Sequence, residues 1–259
     1  MTAESIYRYT PEHALIPTGK PETHLLVADS WLTENGYTRA LHLHRERFAS
    51  SCNQLAGIRE NDIIPFWEKA IATIPETGQW FPRIELASSS RKPVFQFRIR
   101  KAPPLHLTIR LIACRIPDFR KKPRHKGPDL DKAVMIRKNI LETGAEEGIL
   151  TTPEGFILEG LTTSILWWED GTLCTVPPSY RILPGITSRL VQTIAIRGNI
   201  PVACRRKKLQ DLNHHEVWAV NALHGIRRAI DWEHSPFTTS VQTDIDSWRK
   251  ALDNFNEKI

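Results

Sequence analysis

The stretch Gly148–Val176, GILTTPEGFILEGLTTSILWWEDGTLCTV, reads as two consecutive β-hairpins. Short apolar runs alternate with turn signals, and Asp170-Gly171 marks a two-residue hairpin because both residues tolerate positive φ. Downstream, Ile182–Leu190 (ILPGITSRL) passes from a proline-glycine turn into a helix expected from about Ser188 to Arg197 and closed by Gly198. Strands around Val202 and in Glu216–Ala222, a short strand at Gly225–Ile230 and a last amphipathic helix carrying Ile245, Trp248, Leu252 and Phe255 complete the chain. Upstream, Pro128 opens a helix with Ala133, Val134, Ile140 and Leu141 inward, which Gly144 ends. Strands and helices mixed in this order predict an α/β (α+β) class.

Before this half lies Arg115–His125, RIPDFRKKPRH, basic and broken by Pro117 and Pro123. It reads as an interdomain linker, 116–124, between a small N-terminal α/β domain, 1–115, and a larger C-terminal domain, 125–259. Residues 1–22 are polar and proline-punctuated, and they read as an extended arm without core. Beyond them, Leu25–Asp29 and Thr38–His44 read as strands joined at Glu34–Gly36, followed by helices over Glu46–Ile58 and from Asp62. Arg83–Ala87, Val94–Arg100 and Leu105–Ala113 read as strands, the last with Leu105, Leu107, Ile109 and Leu111 on its buried face.

The 259 residues are 41% hydrophobic and 25% charged, which excludes collagen-like, disordered and polytopic membrane classes. No run approaches the roughly 18 to 20 apolar residues of a membrane helix. The opening MTAESIYRYT has neither a basic n-region nor an apolar h-region, so a cytoplasmic protein is expected. Cys52, Cys114, Cys174 and Cys204 stand singly, with no C-x-x-C spacing, and read as buried reduced thiols.

Lysine plus arginine exceed aspartate plus glutamate by 35 − 29 = 6, which permits a nucleic acid, an acidic membrane or a small anion as partner. The runs Arg120–Lys126 and Arg205–Lys208 are, on local chemistry, solvated faces; a nucleic-acid-binding protein or a non-catalytic relative is the reading they leave open. His42 and His44 fall on one face of the expected strand, but no third ligand is in view, so no metal is expected. Gly185-Ile186-Thr187 opens a helix, where free backbone N–H groups form either a plain N-cap or an anion site.

In this order, a lysine at the start of a helix, then ILEGLTTSIL, LPGIT and NALHGI resemble the class IV fold family of pyridoxal 5'-phosphate (PLP) enzymes. That family includes branched-chain and D-amino-acid aminotransferases and 4-amino-4-deoxychorismate lyase. The resemblance runs from about Leu41 onward and implies a two-domain fold type IV, its larger domain built on a curved, barrel-like sheet. It also implies a homodimer, with residues of one small domain approaching the other subunit's pocket. Lys126 then resembles the lysine that joins the cofactor aldehyde as a Schiff base and afterwards moves the substrate proton. Glu159 resembles the carboxylate that pairs with the pyridine nitrogen. Thr163 and Ser164 would donate hydroxyls near the ring or phosphate, and Gly185, Ile186 and Thr187 would grip the phosphate. Asn221 and Ala222 would form a second phosphate-side loop, and Arg47, in His44-Arg45-Glu46-Arg47-Phe48, would neutralise the phosphate. Arg100, or Arg98 on the same strand face, would read a substrate carboxylate. Leu25–Asn35 departs from the family's glycine-containing segment, and no tyrosine follows Lys126 where branched-chain aminotransferases have one. The implied activity is that of 4-amino-4-deoxychorismate lyase, with an aminotransferase for branched-chain or D-amino acids as the alternative. The implied substrate is a small amine bearing a carboxylate; no nucleic acid and no membrane are expected as partners.

Overall fold

The computed structural model describes residues 4–10, 12, 14–22, 24–89, 92–232 and 243–259. The chain divides into two compact units, Met1–Leu105 with His125–Pro128 and Phe255–Ile259, and His106–Arg124 with Asp129–Asn254.

The first unit contains β1 (Ser5–Tyr9), β2 (Leu15–Thr18), β3 (His24–Ser30), β4 (Thr33–Glu34), β5 (Tyr37–Arg39), α1 (Leu41–Ala56), α2 (Glu60–Ala72), β6 (Gln79–Trp80), β7 (Arg83–Ser89) and β8 (Lys92–Ile99). An antiparallel sheet of order β2-β1-β8-β7-β3 packs under the helices, and the final strand Asn256–Lys258 joins β5, β4 and β6 in a smaller sheet. Ile84 and Leu86 alternate on β7 while Phe48 and Cys52 of α1, with Phe66 and Ala70 of α2, follow the four-residue helical step, so both periods converge on one core. Burying Phe48, Phe66 and Phe97 contributes about 1.5–3 kcal/mol each. Gly57, with φ at +68°, ends α1 by donating to the carbonyls of Cys52 and Asn53.

Two expectations change here. The supposed arm supplies β1 and β2, and Tyr7, Tyr9 and Leu15 pack against the core; Met1–Ala3, Pro11 and His13 of that arm lie outside the described residues. Period-two apolar spacing in a short segment is hidden by its prolines, and pairing with β8 supplies what local propensity does not. The Leu41-His42-Leu43-His44 alternation, read as strand, is the first turn of α1. A helix turns about 100° per residue, so His42 and His44 point apart and not together. His42 pairs with Glu257, and His44 is buried against Asp29 at 2.7 Å.

The second unit contains β9 (Thr108–Ala113), α3 (Leu130–Leu141), β10 (Glu147–Thr151), β11 (Ile157–Gly160), β12 (Ser164–Glu169), β13 (Thr172–Thr175), α4 (Ile186–Arg197), β14 (Val202–Cys204), β15 (Val217–Asn221), β16 (Gly225–Trp232) and α5 (Ile245–Asp253). These strands form one eight-stranded mixed sheet of order β11-β10-β9-β16-β15-β12-β13-β14, with β9 parallel to both neighbours. The sheet curls until its edges meet: Ile157 N–H donates to Lys207 O at 2.9 Å, and Phe156 bridges Lys208 just beyond β14. Ile109, Leu111, Ile149, Ile165, Trp167, Ala219 and Ala229 fill its concave side. Outside, Trp168, Trp218 and Trp248 form an edge-to-face trio with centroids 5.3–5.4 Å apart, which seats α5. Both expected hairpins and α4 are present. On β9, Ile109 and Leu111 are buried, but Leu105 and Leu107 precede the strand and are exposed. On α3, Ala133 and Ile140 are buried while Val134 and Leu141, one helical step round, face outward. All four cysteines are free; Cys52 and Cys174 are buried, Cys114 is half-buried and Cys204 is exposed. No described helix is long and apolar enough to cross a membrane.

Candidate active site

In the first unit, the segment carrying Lys126 lies against β3. Ala28 N–H donates to Lys126 O at 2.8 Å, and His125 Nδ1 lies 3.1 Å from Ser51 Oγ on α1. Gly127 permits this approach: at φ +139°, a Cβ there would sit 2.7 Å from Val27 Cα. Burial pushes the Lys126 ammonium down to about 8; Asp29 opposes this, while Arg47, Arg83 and Arg100 push it further down.

Asp29 organises this side. Fully buried at the end of β3, it accepts from Arg47 Nε and Nη2 at 2.8 Å each, from His44 Nδ1 and from Ser30 N–H. Burial would raise its carboxyl, but Arg47 and His44 hold it well below the usual carboxylate range. Burial pushes His44 down, against the pull of Asp29, and Arg47 and Lys126 add to the lowering. Arg47, expected at a phosphate, thus spends two donors on Asp29. The sequence signal for Asp29 is an acid directly after the apolar run Leu25–Ala28, with H-x-x-R at His44–Arg47 downstream. Arg98 and Arg100 share a face of β8 and its end with Arg83 opposite, around the buried Glu85.

In the second unit, Glu159 is buried on β11 and paired with Arg120, and Leu183 N–H donates to its two oxygens at 3.1 and 3.2 Å. Burial pushes its carboxyl up to about 7, with Arg120 and the Leu183 N–H opposing and Asp118 adding to the rise. Arg120, read as a solvated linker cation, is therefore a structural partner of Glu159, steadied by Asp118 at 2.7 Å and by Arg181 O at 3.1 Å. Leu183 begins the turn that leads to Gly185, so Glu159 and the start of α4 are tied by two residues of chain. Gly185 is the N-cap of α4, and no side chain caps that helix. A Cβ on Gly185 would fall 2.4 Å from Ser164 Oγ, so Ser164 stands directly over the first turn, Ile186-Thr187. Asn221 accepts from Leu223 and His224 N–H at 3.2 and 2.9 Å and reaches Thr162 O, shaping the turn that holds Ala222. Thr163 is placed apart from Ser164. Its hydroxyl sits against Gly160, near Glu147, and has no hydrogen-bond partner among the described residues.

In the second unit, a buried carboxylate and an uncapped helix start with glycine under a serine hydroxyl suit a pyridine nitrogen and a phosphate; in the first, a lysine amine lowered toward neutrality suits an aldehyde. Among the described residues, no cluster of histidine, cysteine or carboxylate groups suits a metal.

The family model described as amino-transferase class IV matches residues 26–232. No curated protein sequence matches the chain. Among solved structures, a hypothetical aminotransferase from Mycobacterium tuberculosis in its PLP-bound form is 17% identical, with TM-score 0.79 and 98% of each chain covered. The branched-chain aminotransferase of Thermoproteus uzoniensis with norvaline is 16% identical, with TM-score 0.80, over 98% of this chain and 94% of that one. A Legionella pneumophila protein assigned as 4-amino-4-deoxychorismate lyase is 18% identical, with TM-score 0.75, over 92% and 97%. At these identities the likeness concerns the fold.

Proposed function

Because the chain belongs to the amino-transferase class IV family and is a PLP-dependent enzyme, we propose that it acts like 4-amino-4-deoxychorismate lyase, releasing pyruvate and leaving 4-aminobenzoate. The observation that carries this reading is the position after Lys126. Gly127 is pressed onto β3 with no room for a side chain, and the few positions that follow Lys126, Gly127 to Asp131, hold no tyrosine where the branched-chain aminotransferases have one. The NALHGI turn, held by Asn221, supports the same reading.

When bound, the cofactor supplies an aldehyde for the substrate amine and an electron-withdrawing ring. The phosphate would be held by the N–H groups of Gly185–Thr187, with Ser164 beside them, and the ring nitrogen by Glu159. With its amine near 8, Lys126 is roughly a tenth unprotonated at pH 7, several hundred-fold more than an ordinary lysine. That amine would take the proton from ring carbon C4 and deliver one to the departing enolpyruvyl carbon, and aromatisation would drive the release. Glu159, pushed up to about 7 by burial despite Arg120, would be held in its charged form by a protonated ring nitrogen beside it. Arg98 and Arg100 would receive the substrate carboxylate. We propose a homodimer for the assembled enzyme.

The second reading, an aminotransferase for branched-chain or D-amino acids, is supported by the higher fold similarity to the Thermoproteus uzoniensis enzyme. One comparison separates the two. With PLP-loaded protein, aminodeoxychorismate should yield equal amounts of pyruvate and 4-aminobenzoate, while D-alanine and branched-chain amino acids leave the cofactor unchanged. Conversion of the cofactor to pyridoxamine phosphate by an amino acid, without pyruvate from aminodeoxychorismate, would establish the transferase instead.

A further inference from the structure

Arg83, Arg98 and Arg100 meet where β7, β8 and the start of β1 run side by side. Arg83 and Arg98 are direct cross-strand partners, and the β1–β8 register, with Ser5 opposite Ile99, brings Glu4 opposite Arg100. Two carboxylates face these three cations, and they are held differently. Glu85 is fully buried and bound by both Arg83 and Arg98, the latter at 2.9 Å. Glu4 is 32% exposed and lies 3.5 Å from Arg100 and 3.8 Å from Arg98, beyond the usual reach of a charge-assisted hydrogen bond. Phe81 lies under the Arg100 guanidinium at 4.8 Å, which fixes its plane without using its donors. Arg98 Nε is spent on Glu85, whereas the Arg98 Nη1 and Arg100 Nη1 that face Glu4 stand 3.8 and 3.5 Å from its oxygens, so these donors are the loosely held ones.

We propose that Arg83, Arg98 and Arg100 form a carboxylate-binding site whose resident, displaceable occupant is Glu4, so that β1 and the substrate carboxylate compete for the same guanidinium groups. The exchange leaves the net charge unchanged, because one carboxylate leaves as another enters. Arg83 and Arg100 are also among the charges that push the Lys126 ammonium down. Burial and Arg83 push Arg100 down, with Glu4 opposing, which marks Glu4 as its main loose counter-charge. Glu4 and Arg83 thereby join Arg98 and Arg100 as determinants of which acids the enzyme accepts. This rests on the reading of Lys126 as the group that meets a carboxylate-bearing amine.

The test uses succinate binding to the PLP-loaded protein, measured by calorimetry for wild type, Glu4→Gln, Arg100→Gln and the double variant. Removing the internal competitor is expected to tighten succinate roughly three- to thirty-fold, and that gain should shrink below about twofold when Arg100 is absent. Should Arg100→Gln not fold, Arg98→Gln completes the same cycle. Unchanged or weaker succinate binding in Glu4→Gln, or a gain that persists without the arginine, overturns the proposal. Pyruvate release by wild type together with an unaffected Glu4→Gln affinity would refute this inference alone. A tightened Glu4→Gln with no pyruvate release would refute the lyase reading alone.

Discussion

Replacing Asp29 with asparagine keeps the shape of the side chain and removes its charge, and the structure sets the size of the effect. Asp29 is fully buried and is the acceptor for Arg47, His44 and Ser30 N–H, so the variant sets a neutral amide against a largely buried guanidinium. Breaking a buried pair in this way costs about 3–5 kcal/mol. For a chain of this length, each kcal/mol lowers Tm by about 2–4 °C, so a drop of roughly 6–20 °C is expected. The effect has a pH signature. Asp29 has a lowered folded-state value, so its stabilisation is complete above its unfolded value near 4 and is lost as pH falls below it. The wild-type advantage should therefore be full at pH 7 and should close in acid. The same substitution removes the charge that most raises Lys126, so the lysine should titrate below about 8. Denaturation monitored across pH, together with NMR titration of ε-13C-lysine assigned through Lys126→Arg, reads both quantities. A Tm within about 2 °C of wild type, or a Lys126 that titrates higher, would refute the reasoning.

Glu159→Gln should remove a pH dependence of opposite sign: a carboxyl raised from 4.5 to about 7 stabilises the fold below 4.5 and loses that contribution as pH rises through 7, ~3 kcal/mol in all. Chemical denaturation between pH 4 and 8 should show wild type losing stability relative to the variant over that window. Gly185→Ala places a methyl 2.4 Å from Ser164 Oγ, at a cost of about 1–3 kcal/mol in strain or cofactor grip. PLP titration followed by absorbance should show affinity weakened roughly five- to 150-fold, with most of it recovered in the Ser164→Ala double variant. Gly127→Ala meets backbone at 2.7 Å with φ at +139°, so it should cost about 3 kcal/mol or more, seen as a Tm loss larger than that of Gly155→Ala, whose Cβ would meet open space.

The second half of the chain was legible because its signals are local. Asp170-Gly171 fixes a hairpin, Gly198 stops α4, and the order of ILEGLTTSIL, LPGIT and NALHGI survives in one sheet and the helix it leads into. The first half hides its organisation in long-range pairings. Leucine–histidine alternation from Leu41 has a strand's period, and only the packing of His44, Phe48 and Cys52 on a single helical face decides for α1. β1 exists because β8 offers it an edge, and no short window reports that. The site divides in the same way. Lys126, Glu159 and Gly185 stood in recognisable motifs, whereas Asp29, Arg120 and Glu85 act through partners distant in sequence, so residue type alone made them ordinary surface charges. Thr163 and Ser164 are neighbours in the text, but their hydroxyls go to Gly160 and to Gly185 respectively.

Central to the account is the claim that Lys126 is the amine that engages the cofactor. Reducing the PLP-loaded protein with borohydride and mapping its peptides by mass spectrometry tests this directly. The account expects one phosphopyridoxyl group per chain, on Lys126, and none in Lys126→Ala. Label on a different lysine, or no label at saturating PLP, would contradict it.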